Sequence, residues 1–229
     1  MATTGAELPL AAEREQVAEA ARRLAAEGLV LGTSGNLSAR RDDLVAVSPT
    51  GAVLAELRAE QVSVVDLQGR LVHGELEPTS ELGLHLGVYG RFDTGAVVHT
   101  HSPVATALSC VLDELPAVHY AMLALGGTVR VAPYLTFGTP ELASAVLDAL
   151  DGKTAALMAN HGALVHGADM PAAVDLALLL EWACTVYWRA AAIGTPRTLG
   201  DEELGAVLGA VLERGYGSVR AAAPEASGG

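Results

Sequence analysis

Two histidines, His99 and His101, stand two positions apart at the end of an apolar, β-branched run at 95–98. Side chains alternate between the two faces of a strand, so this spacing directs both imidazoles to one face and Thr100 to the other. Imidazole suits zinc and other late first-row metals, and a catalytic zinc typically takes three protein ligands and keeps a fourth position open. His161, at the end of a later apolar run, is the best third ligand, because a neighbouring strand would bring it beside the pair. By spacing alone, an accidental pair of histidines stays an equal alternative to a metal site.

Glu81 is a candidate acid/base residue at the start of the helix predicted before this strand. A carboxylate in the first turn of a helix is favoured by the helix dipole, by about 0.3–1 kcal/mol, so Glu81 taken alone is most simply an ordinary first-turn acid. Its functional interpretation is a general base beside the metal. His85, one turn later on the same helix face, would orient Glu81, and a buried structural histidine is an equal alternative for it.

Three short segments, at 33–36, 48–51 and 79–80, combine glycine, hydroxyl and amide groups. Backbone N–H groups in glycine turns and at helix N-termini, helped by hydroxyls, form an anion pocket that needs no lysine or arginine. Each segment alone is typical of a simple turn or helix cap. Only their joint presence suggests a site for a phosphate.

Apolar periodicity divides the rest of the chain into helices and strands. Helical spacing with capping residues at the ends predicts helices over 10–28, 79–91, 103–112, 139–150 and 169–193. Short apolar runs bounded by turn residues predict strands at 44–47, 62–65, 71–72, 95–98, 129–132 and 155–158. Hydroxyl caps are expected from Thr79 or Ser80 and from Thr139. The last helix is apolar around much of its circumference, which indicates contacts between subunits.

Composition limits the class of protein. At 229 residues the chain fits one domain, and its 14 basic against 27 acidic side chains give a net charge of −13. A field of that sign repels nucleic acid and anionic lipid, so neither is an expected partner, and an anionic substrate would have to be held by local groups. The two cysteines, Cys110 and Cys184, have no metal-site or disulfide spacing, which fits a reducing compartment.

The sequence predicts neither export nor a membrane span. The first residues lack a basic region followed by an apolar one, so we expect no secretory signal and a cytoplasmic location. The most apolar long stretch, 172–194, contains Asp175, Glu181 and Arg189, each of which would cost about 2.5–3.5 kcal/mol at the centre of a bilayer. We therefore expect no transmembrane helix.

The order of these segments resembles the class II aldolase/adducin family, and in particular its aldolases of L-fuculose 1-phosphate. The resemblance rests on five spaced motifs: Gly35-Asn36, Thr50-Gly51, Ser80-Glu81, His99-Thr100-His101 and Asn160-His161-Gly162. The intervening segments 118–120 and 132–139 match as well. Each motif alone is weak evidence for the family, whereas their combination, spread over residues 10–216, is highly specific for it.

The resemblance implies a single α/β domain over 10–217, with a central, mainly antiparallel sheet flanked by helices. It also implies an N-terminal tail at 1–9, and we expect the small, polar C-terminal tail at 218–229 to be disordered. The subunits would form a homotetramer with fourfold symmetry, with active sites at the subunit interfaces.

The resemblance also assigns the chemistry to named side chains. One Zn²⁺ per subunit would be held by His99, His101 and His161. Glu81 would be the acid/base residue and would fill the fourth metal position when substrate is absent. Tyr120, from a neighbouring subunit, would face the aldehyde oxygen.

The substrate phosphate would be held by the glycine and hydroxyl segments, through Gly35, Asn36, Thr50, Gly51, Thr79 and Ser80. Thr79 stands where the fuculose phosphate enzymes carry serine. The hydroxyl is kept, and the added methyl leaves the exact substrate open. Tyr216, near the C-terminus, would also approach the site.

The implied activity is a zinc-dependent aldolase that cleaves a ketose 1-phosphate, such as L-fuculose 1-phosphate, to dihydroxyacetone phosphate and a small aldehyde such as lactaldehyde. A metal makes a Schiff-base lysine unnecessary, in agreement with a sequence whose only lysine is Lys153, far from the motifs. The alternatives within the family are a sugar-phosphate 4-epimerase and a methylthioribulose-1-phosphate dehydratase, and the segments 119–120 and 132–139 favour the aldolase. A non-catalytic module like the adducin head would lack the metal ligands.

Overall fold

The computed structural model of the protein describes residues 8–214. Of the predicted N-terminal tail, Leu8 and Pro9 are described and lead into the first helix. Tyr216 and the predicted C-terminal tail at 218–229 lie outside the described residues. The predicted limits of the domain therefore stay predictions.

Six helices and nine strands make up the described chain. The helices are α1 (Ala11–Ala26), α2 (Leu82–Arg91), α3 (Pro103–Ser109), α4 (Pro140–Ala149), α5 (Met170–Ile193) and α6 (Asp201–Arg214). The strands are β1 (Asn36–Arg41), β2 (Leu44–Val47), β3 (Ser63–Asp66), β4 (Leu71–His73), β5 (Ala96–Thr100), β6 (Glu114–Leu115), β7 (Val129–Ala132), β8 (Ala155–Met158) and β9 (Gly162–Gly167). Short 3₁₀ segments lie at Leu54–Glu56, Ala59–Gln61 and Tyr120–Leu125. Every predicted helix and strand is present, with bounds that differ by a few residues at most.

The strands form one sheet in the order β4-β3-β2-β1-β5-β9-β8-β7-β6. Neighbouring strands are antiparallel except for β7 and β8. Helices α1, α3 and α5 pack on one face around the larger apolar cluster, and α2 and α4 cover the other face around the smaller one. The predicted fold, a single α/β domain with a mainly antiparallel sheet flanked by helices, is confirmed.

The central strand β5 divides its side chains between these two faces. Ala96 and Val98 pack in the cluster with α1 and α5, whereas Val97 packs in the cluster with α2 and α4. By the same alternation His99 lies on the α2 side of the sheet. It therefore points toward the N-terminus of α2, where Nε2 of its ring lies 3.3 Å from Oε2 of Glu81.

The sequence does not predict β1, although this strand carries part of the site. Leu37 and Ala39 are buried in the cluster with α1, while Asn36 and Ser38 point to the α2 side and bond to residues there. A strand with polar residues on a buried face lacks the apolar run by which the other strands are recognised. β1 pairs with β5 in a register that sets Asn36 opposite His99.

Helix α2 begins later than the sequence predicts. The backbone N–H of Thr79 donates to the carbonyl of Ser48 at 3.1 Å, in extended pairing with another part of the chain. Because Thr79 is held in this way, the first helical residue is Leu82, and Glu81 occupies the N-cap position without a side-chain cap. The predicted hydroxyl cap of α2 is thus wrong. The predicted cap of α4 by Thr139 is confirmed.

Helix α5 buries only part of its apolar surface. Ala177 and Leu180 are buried, while Trp182, Trp188 and Ile193 are 44%, 53% and 92% exposed. By length and composition alone this helix would be long and apolar enough to cross a membrane. The exposed surface agrees with the excess of apolar residues expected from the sequence. The subunit contacts inferred from it, and the absence of a membrane span, stay predictions.

Candidate active site

Three imidazoles converge at the end of strand β5. His99 is the penultimate residue of the strand, His101 follows its last residue, and His161 lies in the turn between β8 and β9. One nitrogen of each ring lies within 4.8 Å of the others. β9 pairs with β5 so that Ala163 is opposite Thr100, which sets the β8–β9 turn beside the histidine pair. The structure thus brings together the three histidines that the sequence suggests as ligands.

The turn that carries His161 is tightly constrained. Asn160 has φ 55°, in the left-handed region where asparagine is among the few residues other than glycine that are tolerated. At Gly162 a Cβ would lie 2.2 Å from the carbonyl oxygen of Thr100, so only glycine permits this approach of β9 to β5. These two positions determine where the His161 ring stands.

His99 presents an unprotonated nitrogen to the centre of the cluster. Its Nδ1 lies 2.9 Å from the carbonyl oxygen of Ala163, and because a carbonyl only accepts hydrogen bonds, Nδ1 carries the proton. Burial lowers the pKa of His99 to about 4, so the ring is neutral near pH 7 and its Nε2 bears a lone pair. That Nε2 lies 2.9 Å from Nε2 of His101.

The Glu81 carboxylate is buried beside these rings, with 5% of the residue exposed. Oε2 accepts a hydrogen bond from Nδ2 of Asn36 at 2.8 Å. Oε1 has no hydrogen-bond partner among the described residues and lies 3.8 Å from Nε2 of His161. Burial raises the pKa of the Glu81 carboxyl. The attraction of the His99 ring, which gains its proton only at acidic pH, and the hydrogen bond from Asn36 outweigh burial and lower this pKa overall. The group is therefore a carboxylate near neutral pH.

This set of donors fits a divalent metal ion. Oε2 of Glu81 lies 3.3 Å from the unprotonated Nε2 of His99, a contact between two lone-pair atoms that is repulsive without positive charge between them. Oε1 of Glu81 lies 3.8 Å from Nε2 of His161. Neutral imidazoles together with a carboxylate are ligands that zinc and other late first-row metals take. The bond from Nδ1 of His99 to a backbone carbonyl is an outer contact of the kind that orients a metal ligand. The residues that would hold the ion are His99, His101, His161 and Glu81.

One cavity of about 420 Å³ opens onto this cluster, and Glu81, His101 and His161 line it. All three segments predicted to hold a phosphate line it as well. Backbone hydrogen bonds join these segments, for example from the N–H of Thr50 to the carbonyl of Glu77 at 2.9 Å. The residues of the three segments that line the cavity are Thr33, Ser34, Gly35, Asn36, Pro49, Thr50, Gly51, Thr79 and Ser80.

Gly35 couples the first phosphate segment to the histidine strand. Its φ is 87°, and a Cβ at this position would lie 2.8 Å from the carbonyl oxygen of His99. Only glycine allows both the left-handed backbone and this close approach. The position of the segment therefore depends on that of β5.

His85 is fully buried one turn after Glu81. Its Nε2 lies 2.5 Å from Oδ1 of Asn36, and its Nδ1 lies 2.7 Å from Oγ of Ser38. Burial lowers the pKa of His85 to about 3, so its ring is neutral. Asn36, which the sequence suggests as a phosphate ligand, thus places its amide between His85 and Glu81, and a contact with phosphate stays a prediction.

One wall of the cavity consists of side chains that sequence reasoning does not assign to the site: Tyr134, Leu135 and Phe137. Tyr134 and Phe137 are 66% and 64% exposed, in a loop bounded by Pro133 and Gly138. Two aromatic residues in a short loop are a signal for a binding surface. Nothing local, however, indicates that this loop lies against the histidine cluster.

Tyr120 is absent from the described lining of the cavity in its own subunit. It begins the 3₁₀ segment, is 40% exposed, and packs its ring on His119 with centroids 4.3 Å apart. His119 packs in turn on Trp182 of α5 and accepts the N–H of Ala121 through Nδ1 at 3.1 Å. These contacts hold Tyr120 at the surface near α5, and its approach to a neighbouring site stays a prediction.

Comparison with known proteins gives matches over most of the chain. A family model described as Class II Aldolase and Adducin N-terminal domain matches residues 15–188. A 5-deoxy-D-ribulose 1-phosphate aldolase of Bacillus thuringiensis serovar kurstaki is 38% identical over 195 residues, which are 84% of this chain and 92% of that protein. A 5-methylthioribulose-1-phosphate/5-deoxyribulose-1-phosphate aldolase of Rhodospirillum rubrum is 39% identical over 197 residues, 85% of this chain and 89% of that protein.

A solved structure gives the same result for the fold. An L-fuculose 1-phosphate aldolase superposes with a TM-score of 0.84 at 33% identity, over 93% of this chain and 98% of that one. The resemblance inferred from the five motifs is thereby confirmed.

Replacing His99 or His101 by alanine is expected to weaken metal binding strongly, because each change removes one of the four proposed ligands and leaves a gap in a donor set that converges on one point. The zinc content of each variant after dialysis, measured by elemental analysis, checks this. His166→Ala is the matched control, since His166 is also buried but bonds to Thr94 and to the carbonyl of Lys153, away from the cavity. Full zinc occupancy in either cluster variant would contradict the ligand assignment.

Proposed function

The chain belongs to the class II aldolase and adducin family, and we propose that it is a metal-dependent aldolase that cleaves a ketose 1-phosphate to dihydroxyacetone phosphate and a small aldehyde. The observation that carries the proposal is the meeting, in one cavity, of a buried carboxylate, an imidazole cluster and three segments suited to a phosphate. A Schiff-base lysine is not required. Lys153, the only lysine of the chain, donates to the carbonyl of Gly126, and neither residue is among those that line this cavity.

The proposed cofactor is one Zn²⁺ per subunit, held by His99, His101 and His161, with Glu81 as a fourth ligand in the absence of substrate. When bound, the metal supplies Lewis acidity, which withdraws charge from the substrate oxygens next to the bond that breaks. The neutral state of the buried His99 ring supports this assignment, since only an unprotonated nitrogen binds a metal.

Glu81 is the proposed acid/base residue. In the synthetic direction its carboxylate takes a proton from C3 of dihydroxyacetone phosphate, and the electron pair left on C3 attacks the aldehyde carbon to form the new bond. The hydroxyl of Tyr120, from a neighbouring subunit, donates a proton to the aldehyde oxygen. Cleavage is the reverse, and Glu81 then returns a proton to C3. Oε1 of Glu81 suits this role, because in the described chain it has no hydrogen bond that must break before it accepts a proton.

The phosphate of the substrate is proposed to bind among the glycine and hydroxyl segments. None of the described residues that line the cavity is lysine or arginine, so neutral N–H and O–H groups would hold the anion. These donors act at short range against the repulsive field of a chain with net charge −13. The proposed ligands are Gly35, Asn36, Thr50, Gly51, Thr79 and Ser80.

The aldehyde half of the substrate differs among the candidates. Cleavage of L-fuculose 1-phosphate, 5-deoxyribulose 1-phosphate or 5-methylthioribulose 1-phosphate gives the same dihydroxyacetone phosphate, with lactaldehyde, acetaldehyde or methylthioacetaldehyde as the second product. Each of these aldehydes ends in a methyl or methylthio group. The wall of Tyr134, Leu135 and Phe137 supports a substrate of this kind, a ketose 1-phosphate without a terminal hydroxyl.

The alternatives share much of this site. A sugar-phosphate 4-epimerase or a methylthioribulose-1-phosphate dehydratase would use the same metal cluster and phosphate segments, so product analysis has to separate them. A non-catalytic, adducin-like module is disfavoured by the presence of His99, His101, His161 and Glu81 together. We propose that the protein acts in the cytoplasm as a homotetramer with sites at its subunit interfaces. The exposed apolar surface of α5 supports this assembly.

The zinc-loaded protein is expected to release dihydroxyacetone phosphate from at least one of the three terminally deoxygenated ketose 1-phosphates. Ribulose 1-phosphate should be a poorer substrate, with a kcat/KM lower by about 10- to 100-fold, because its terminal hydroxyl meets an apolar wall. An assay coupled to dihydroxyacetone phosphate, with chromatography of the products, measures both. Formation of a 4-epimer or a dehydrated sugar, without dihydroxyacetone phosphate, would refute the aldolase assignment.

Glu81→Gln keeps the volume of the side chain and removes its basicity. Phosphate binding should persist, whereas exchange of the C3 hydrogen of dihydroxyacetone phosphate with heavy water should fall by at least about 100-fold. Nuclear magnetic resonance of dihydroxyacetone phosphate in heavy water measures this exchange, and zinc content is measured alongside. Near-normal exchange in this variant would remove Glu81 from its role.

Assembly can be tested by mixing two poorly active variants. Glu81→Gln and Tyr120→Phe are each expected to be poorly active, but mixed oligomers would contain some interfaces that combine an intact Glu81 with an intact Tyr120 from a neighbour. Partial recovery of activity after subunit exchange is therefore expected, with mixed oligomers confirmed by mass spectrometry. No gain over the parent variants, or full activity of a monomer, would contradict a shared site.

A further inference from the structure

A row of buried polar side chains leads from Glu81 into the interface between β1 and α2. On β1, Asn36 and Ser38 are two residues apart and share a face. On α2, His85 and Tyr89 follow Glu81 at intervals of four residues, and so lie on one side of the helix. None of the five is more than 7% exposed. The packing of the helix on the sheet brings the two rows together.

These side chains form a continuous series of hydrogen bonds. Nδ2 of Asn36 is 2.8 Å from Oε2 of Glu81, and Oδ1 of Asn36 is 2.5 Å from Nε2 of His85. Nδ1 of His85 is 2.7 Å from Oγ of Ser38. That oxygen is in turn 2.7 Å from the hydroxyl of Tyr89. We call this series the Glu81 chain.

The carboxylate determines the direction of every bond in the Glu81 chain. An ionised carboxylate only accepts, so Asn36 must turn its NH₂ group toward Glu81 and its carbonyl oxygen toward His85. That oxygen also only accepts, so Nε2 of His85 carries the proton. A neutral imidazole has one proton, which makes Nδ1 an acceptor for the hydroxyl of Ser38. Ser38 then accepts from the hydroxyl of Tyr89.

We propose that His85 is a positioning residue, which acts through Asn36 to hold the Glu81 carboxylate in place for proton transfer. The two orientations of the Asn36 amide have the same shape, but the reversed one would set an oxygen against the carboxylate. The Nε2–H of His85 selects the productive orientation, because it needs the amide oxygen as its acceptor. Ser38 and Tyr89 fix the position of the His85 ring, and their hydroxyls can supply the donor that its Nδ1 then needs. The inference rests on the proposed role of Glu81 as the acid/base residue.

Two substitutions of His85 separate this role from a packing role. The amide of glutamine reaches the position of Nε2 and can donate to Asn36, whereas the shorter asparagine places its amide near Nδ1 and leaves Asn36 without that donor. His85→Asn is expected to lower the kcat of hydrogen exchange at C3 of dihydroxyacetone phosphate by about 10- to 100-fold, the usual loss when an outer contact is removed. KM should stay within about threefold and zinc content should be unchanged. His85→Gln should restore most of the lost kcat.

A second test does not depend on the stability of the His85 variants. Asn36→Ala removes the group through which His85 is proposed to act, and it should lower kcat. Any accompanying rise in KM reports the proposed contact of Asn36 with the phosphate. Adding His85→Asn to Asn36→Ala should then cause no further loss, because residues that act in series are not additive. The matched control is the pair His166→Asn and His166→Gln, at a buried histidine that bonds to Thr94 and Lys153 instead. This pair should lower the unfolding temperature without changing the exchange rate.

The outcomes separate this inference from the proposed function. Exchange by the wild type, together with equal kcat losses in His85→Asn and His85→Gln or additive losses in the double variant, would overturn the inference alone. A rise in KM at unchanged kcat in Asn36→Ala would limit Asn36 to the phosphate and overturn the inference as well. An inactive, zinc-loaded wild type would overturn the proposed function and the inference with it.

Discussion

The burial of the Glu81 carboxylate is the constraint on which the rest of this site depends. An ionised carboxylate that leaves water without compensation destabilises the fold by several kcal/mol, so donors and positive charge have to surround it. Asn36 supplies one donor, and the imidazole cluster can hold a cation on the other side. The place of Glu81 just before α2 adds the favourable helix dipole, about 0.3–1 kcal/mol for an acid there.

That constraint explains why the two central strands carry polar side chains on a buried face. A sheet with helices on both sides is ordinarily apolar on both faces, and Val97 of β5 follows this rule. Asn36 and Ser38 of β1 depart from it where they approach α2, and each is bonded to a partner there. Both edges of β5 are paired, with β1 and β9, and the close contacts at Gly35 and Gly162 press these neighbours against it. The ligands therefore stand on a rigid part of the sheet.

Most of the fold could be predicted from the sequence. Five of the six described helices and six of the nine strands follow from apolar periodicity and caps, which are local properties. β1 could not be predicted, because Asn36 and Ser38 are polar residues of the site on a buried face, and the strand therefore lacks the apolar run by which the other strands are recognised. The start of α2 was predicted too early, since Thr79 has helix-capping chemistry but is held in extended pairing by Ser48, far away in the sequence.

The sequence by itself determined those features of the site that depend on residues only a few positions apart. Strand alternation is enough to place His99 and His101 on one face, and composition is enough to require local donors for an anion. For His161 the sequence suggested a ligand, and the pairing of β9 with β5 brings it to the cluster, whereas only tertiary structure decided that Tyr134 lines the cavity. It also decided that the amide of Asn36 serves Glu81. Such contacts are set by sheet register and by helix packing between distant parts of the chain, about which local periodicity carries no information.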